Sequence, residues 1–209
     1  MNKTTLMLAA LAVTSTSMAQ TWAETGDAGE LPAGAQVTMG VGMLSTITGE
    51  ITASDADMYA IMITDSNLFF AQSHSNSTTM DTQMWLFNSA GMGVSFNDDW
   101  VGGTTLQSAI TDLFVNSTGL YYLAISGYDY DATSGGNEMW LDTPFRSERM
   151  PDGPGAAGMV DGWGTTGTPA TGLYEINLRG AEFATVPEPG TMVAIGLGLA
   201  GLALARRRK

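Results

Sequence analysis

Cysteine is absent from this chain, histidine occurs once, and only eight residues are basic. The missing thiols exclude disulfide staples, cysteine nucleophiles and thiolate zinc sites. A single imidazole excludes any metal centre built on several histidines. The basic residues are Lys3, Arg146, Arg149, Arg179 and the terminal run Arg206, Arg207, Arg208 and Lys209. Residues 20–186 therefore hold three arginines and no lysine against twenty acids, a formal charge of −17. A surface of that sign argues against nucleic acid as a partner, because phosphate binding needs a basic face. It suits divalent cations and neutral or cationic surfaces, or it serves only to keep an extracellular protein soluble. Charged residues are scarce at 14%, while glycine is abundant at 26 residues. That balance favours a turn-rich all-β domain over a helical one.

Long apolar runs are confined to the two ends. Met1-Asn2-Lys3 is a short positive segment, Leu6–Val13 is apolar, and Ser17-Met18-Ala19 has the small-x-small spacing of a cleavage site. Residues 1–19 thus read as a helical secretory signal peptide, with the mature chain starting at Gln20. At the other end, Thr191–Ala205 is a stretch of 15 uncharged residues. As a helix rising about 1.5 Å per residue, it covers roughly 23 Å, short of a hydrocarbon core of about 30 Å. The basic run that follows, Arg206–Lys209, is a membrane stop on the cytoplasmic side. Residues 190–205 are accordingly expected to form a single transmembrane helix in the inner membrane.

Val186-Pro187-Glu188-Pro189-Gly190, an apolar segment and a basic cluster stand in that order at the C-terminus. Residues 183–209 resemble the PEP-CTERM sorting signal. The resemblance implies export, transient anchoring in the inner membrane, and processing near Pro187, Glu188 and Pro189 by an exosortase, a membrane transpeptidase. It also implies a bacterium that makes exopolysaccharide. The physical logic agrees, since a helix holds the substrate while a Pro-rich stretch stays extended and open to a protease.

Between the ends, several runs rich in β-formers are bounded by Gly, Asn, Asp or Ser. Val41–Ile51, Met58–Ile63, Leu120–Ser126, Glu138–Leu141 and Leu173–Leu178 read as strands, and Gln83–Phe87 with Val94–Phe96 as a hairpin. No segment sustains a helical period. The expected architecture is an antiparallel β-sandwich or jelly roll over residues 20–182. Asp142–Thr168, rich in Pro and Gly, is expected to be a long ordered loop or a partly disordered crossing. Asp55-Ala56-Asp57-Met58-Tyr59, Asp81–Phe87, Phe96-Asn97-Asp98-Asp99 and Gly119–Tyr128 resemble, in order, the bacterial pre-peptidase C-terminal (PPC) domains. That resemblance covers residues 40–140 and implies a small β-sandwich accessory module.

The acids at strand ends are the one pattern with chemical promise. Ca²⁺ takes six to eight oxygens on a tolerant geometry. Asp-x-Asp spacing puts two carboxylates on one side of an extended segment. Asp55 with Asp57, or Asp129 with Asp131, could share an ion, with Asn97, Asp98 and Asn137 adding oxygens. The strongest ligand set is Asp55, Asp57, Asp98 and Asp99, in a structural role; the alternative is that these aspartates cap turns. His74 lies in a polar serine- and threonine-rich loop, and no Gly-x-Ser-x-Gly elbow accompanies it, which argues against a hydrolytic triad. Trp85 sits in an apolar strand and belongs to the core. Trp100 and Trp163 lie in Gly-rich loops and are candidates for an exposed ligand platform. The expectation is an exported, non-enzymatic surface or matrix protein, structural or adhesive among exopolysaccharides. The alternatives are a Ca²⁺-assisted carbohydrate-binding module and a secreted hydrolase using paired carboxylates.

Overall fold

The structure is a computed structural model and describes residues 19–74, 79–101 and 106–184. The expected signal helix, the transmembrane helix, the Pro187-Glu188-Pro189 motif and the Arg206–Lys209 stop lie outside the described residues, apart from Ala19. Among the described residues there is no α-helix, and no helix is long and apolar enough to cross a membrane.

Two sheets pack face to face. The first runs in the order β1 (Gln20–Ala23), β3 (Leu44–Ile51), β13 (Gly172–Arg179), β5 (Phe70–Ser73), β8 (Ala109–Ile110). The second runs β14 (Ala181–Phe183), β4 (Ala56–Ile63), β9 (Gly119–Gly127), β6 (Thr82–Asn88), β7 (Gly93–Asn97). A short strand, β2 (Gln36–Val37), joins β4 beside Tyr59 and Ala60. The sheets enclose Ile47 and Ile51 of β3, Tyr59, Ile61 and Ile63 of β4, Leu123 and Ile125 of β9, and Tyr174 and Ile176 of β13. The sandwich is therefore observed, with one correction. It is not purely antiparallel, because β1 runs parallel to β3 and β2 parallel to β4.

The two sheets differ in how they meet water, and their sequences differ accordingly. In β13, residues 174, 176 and 178 point inward and are buried, while those between are partly or fully exposed. That alternation is the signature of a strand with one wet face. Strands β4 and β6 of the second sheet are buried on both faces, and Met58–Ile63 and Met84–Phe87 within them read as continuous apolar runs. What covers the outer face is the Pro- and Gly-rich segment. It contains β12 (Gly162–Gly164), which joins β10 (Asp131–Ser134) and β11 (Asn137–Glu138) in a three-stranded sheet.

This cover brings a second core. Met58, Trp85, Phe87, Phe96 and Ala124 of the sheet pack against Ala132, Met139, Trp140 and Val160. Trp85 stacks on Phe96 at 4.0 Å between ring centroids and meets Trp140 edge-on at 5.4 Å. Its indole N–H donates to Ser126 Oγ at 3.1 Å, so the buried polar atom is satisfied. Gly93 is required by this packing, because a Cβ there would lie 2.5 Å from the Trp140 ring. At the hairpin, the Asn88 side chain accepts from Ala90 N and Met92 N, and Gly91 takes φ +76°, a left-handed conformation natural to glycine.

Candidate cation-binding end of the sandwich

Antiparallel register gathers the aspartates. Ala56 of β4 pairs with Ser126 of β9, and Thr82 of β6 pairs with Gly127. Met84 of β6 pairs with Asn97 of β7. The starts of β4 and β6 and the ends of β7 and β9 thus share one end of the second sheet. Asp55, Asp57, Asp81, Asp98, Asp99, Asp129 and Asp131 all fall there.

They do not form one site. Three separate groups each bring carboxylate oxygens within 4.8 Å of one another: Glu24, Asp27 and Asp57; Asp81, Asp98 and Asp99; Asp131, Glu138 and Asp142. The expected set of Asp55, Asp57, Asp98 and Asp99 is divided between them. Asp55 joins none; its Oδ2 accepts from Thr52 N at 2.9 Å and Thr52 Oγ1 at 3.1 Å, which is turn chemistry. Asp129 is likewise taken up by Thr165 and Thr166, whose hydroxyls donate to it at 2.6 and 2.9 Å.

Asp57 points inward, one strand period from Tyr59. Its Oδ2 accepts from the Tyr174 hydroxyl of the facing sheet at 2.5 Å, and Tyr174 in turn meets the Tyr59 hydroxyl. Asp57 is fully buried, and Oδ1 has no partner. Burial pushes its carboxyl up to about 8, opposed by the Tyr174 bond and assisted by Glu24 and Asp55. Glu24 is engaged by backbone: Oε1 accepts from Ala28 N at 2.9 Å and Oε2 from Glu50 N at 3.0 Å. Glu24 and Asp27 line an open cleft of about 740 Å³ between β1, β3 and β13.

Asp131 is also buried, and Gln83 Nε2 donates to its Oδ1 at 3.0 Å. Burial raises it to about 7, with the Gln83 bond opposing and Asp142, Asp129 and Glu138 adding to the rise.

The Asp98 group is different in kind. Asp98 is 5% exposed, and its Oδ1, like that of Asp99, is buried without a hydrogen-bond partner. Among the described residues no hydrogen bond to the carboxylate oxygens of Asp81, Asp98 or Asp99 is seen. Among the described residues the one ion pair is Arg149–Asp152, elsewhere on the cover. Burial raises Asp98 to about 8, reinforced by Asp81, Asp99, Asp131 and Asp142. Burial and Asp99 raise Asp81 to about 6. The three aspartates line a cavity of about 230 Å³ with Asp142 and Thr143 of the cover, and Tyr128 and Phe145, both largely exposed, line it too.

The two tryptophans expected as a platform, Trp100 and Trp163, are both half-buried. Trp100 is half-buried and lies edge-on to Phe70 at 5.5 Å, with the Arg179 guanidinium 4.7 Å above that same ring. Trp163 is half-buried, stacked on Tyr130 at 5.9 Å, and its N–H donates to Glu30 O at 2.8 Å. His74 follows β5, and its backbone N–H donates to Glu175 O. Sequence reasoning missed Glu24, Asp27, Glu138 and Asp142 as cluster members, and Tyr174 as the donor to Asp57. The period-2 placement of Asp57 beside Tyr59 in an apolar strand was a usable signal for the first group; nothing local pointed to Asp142.

Residues 185–209 match the PEP-CTERM protein-sorting motif. This chain is therefore an exported protein with a membrane-anchored C-terminal sorting signal, processed by an exosortase. No curated protein and no solved structure matches it, so the resemblance of residues 40–140 to PPC domains has no relative behind it.

Proposed function

We propose that this is a non-enzymatic protein of the cell surface or extracellular matrix, structural or adhesive within an exopolysaccharide envelope. The observation that carries the reading is the sorting motif at residues 185–209, whose three-part tail resembles those of exosortase substrates in exopolysaccharide-making bacteria. The formal charge of −17 over residues 20–186 supports it, since an acidic, lysine-free surface suits a hydrated matrix rather than nucleic acid. The test is a tagged full chain expressed in a host with and without its exosortase, beside a variant with Pro187, Glu188 and Pro189 replaced by Ala. Loss of the tail and arrival in the matrix are expected only for the unaltered chain with the enzyme present. Matrix delivery in all three cases would reject the reading.

A second reading is a Ca²⁺-assisted carbohydrate-binding module. It is favoured by the exposed Tyr128 and Phe145 rings bordering the Asp81–Asp98–Asp99 cavity. Pull-down of the full chain on the host's polysaccharide, with Ca²⁺ and with chelator, separates it from a passive matrix protein.

A further inference from the structure

We propose that Asp81, Asp98 and Asp99 form a Ca²⁺ site that ties the second sheet to its cover. Clustered acids alone would not carry this, because surface carboxylates commonly gather in a protein this acidic. Two further observations do. Asp98 is 95% removed from water, its Oδ1 has no partner, and it lines a cavity shared with three further carboxylates, Asp81, Asp99 and Asp142, and with Tyr128, Thr143 and Phe145. An ionised carboxylate in that setting is costly unless a cation or strong donors meet it. No lysine or arginine does so among the described residues, and no backbone N–H is aimed there.

The neighbouring groups show what satisfied acids look like in this protein. Glu24 is held by two backbone amides, Asp57 at one of its two oxygens by a tyrosine, Asp131 by a glutamine, and Asp55 by Thr52. Asp57 Oδ1 is also unmet, but there the other oxygen is held by Tyr174; among the described residues the Asp81–Asp98–Asp99 group is the one with two buried carboxylate oxygens, Asp98 Oδ1 and Asp99 Oδ1, lacking partners beside a solvent-accessible cavity. The donor set is all oxygen, which selects hard cations and disfavours zinc or copper. Three carboxylates offer up to six oxygens. Asp142 lines the same cavity, and water can enter at the mouth to complete a shell of six to eight. Ca²⁺ tolerates such an irregular shell better than Mg²⁺, which demands near-octahedral geometry.

The cavity draws on four chain segments: Asp81 before β6, Asp98 and Asp99 after β7, Tyr128 after β9, and Asp142, Thr143 and Phe145 of the cover. An ion there would join parts of the chain that are otherwise linked through the Trp85–Phe96–Trp140 packing and a few backbone hydrogen bonds, such as Asp99 N to Phe145 O at 3.2 Å. Extracellular calcium modules bind at roughly 10⁻⁴–10⁻³ M, so the site would fill after export.

The test uses the full chain, purified in detergent and stripped with chelator, in Ca²⁺ titration by calorimetry and in thermal melts. Saturable binding is expected, with a melting midpoint raised by roughly 5–10 °C at about a hundredfold excess over Kd. Asp98→Asn and Asp81→Asn should each weaken binding at least about tenfold, while Asp27→Asn, in the Glu24 cleft, keeps it. Asp98→Asn removes a repelling charge, so the variant should fold without the ion. The proposal is overturned if the unaltered chain neither binds Ca²⁺ nor shifts its midpoint at millimolar concentration. Binding unchanged in both Asp98→Asn and Asp81→Asn, or lost only in Asp27→Asn, overturns it equally.

Discussion

Asp57 and Asp98 lie at the same end of one sheet, both buried, both pushed up to about 8 by burial and by neighbouring acids. Their surroundings treat them oppositely. Asp57 faces the inner core, where Tyr174 donates to it and Tyr59 supports Tyr174. Asp98 lies beyond Phe96, between the sheet and its cover, and receives nothing. The first has one oxygen, Oδ2, tied into an internal hydrogen-bond chain across the inter-sheet contact, with Oδ1 unmet. The second is a set of unmet acceptors, a state that favours an added cation or an added proton. A shifted pKa alone therefore does not distinguish structure from binding; the partners of the individual oxygens do.

Substitution separates the two most sharply at Tyr174. Tyr174→Phe leaves the buried Asp57 without its donor, and a loss of about 2–3 kcal/mol is expected in denaturant unfolding. A loss below about 0.5 kcal/mol would show that the Tyr59–Tyr174–Asp57 chain contributes little. At Asp98 the sign reverses. Asp98→Asn should raise the stability of the calcium-free protein at pH 8, by on the order of 1 kcal/mol.

The pH dependence follows from the same contrast. Asp98 keeps its proton up to about 8 in the folded protein against a usual 3.8. Between those values the folded state holds more protons than the unfolded one, so stability falls as pH rises. The groups facing Asp98 are Asp81, Asp99, Asp131 and Asp142, all acidic, so none reverses the trend. Melts from pH 5 to pH 8 should show a falling midpoint, flattened in part by Asp98→Asn and in part by saturating Ca²⁺. A flat profile in the unaltered chelated chain would contradict the burial argument. The smallest effect belongs to the cover: Trp163→Phe removes the bond to Glu30 O and should cost about 1 kcal/mol without altering Ca²⁺ binding.

Much of the second sheet was legible. Met58–Ile63, Leu120–Ser126 and the hairpin about Asn88–Gly91 appear as strands and turn where the apolar runs and Asn/Gly signals put them. Shorter strands escaped, because the two residues of β2 or of β8 carry no periodicity and are strands only through their partners. The Pro- and Gly-rich segment read as a long ordered loop or a partly disordered crossing; that it covers the sheet depends on its Val160, with Trp140 just before it, joining Trp85 and Phe87 in one core, contacts distant in sequence. Asp98 and Asp99 were recognisable as acids at a strand end, but their grouping with Asp81 and their separation from Asp55 were not.

By itself the sequence determined the tail's destination, the acidity, the absence of thiol chemistry and the all-β class, because each is a matter of local composition or a contiguous motif. Tertiary structure alone decided which aspartates meet. Strand register sets neighbours across dozens of residues, and burial then decides whether a carboxylate finds a tyrosine, a backbone amide or nothing.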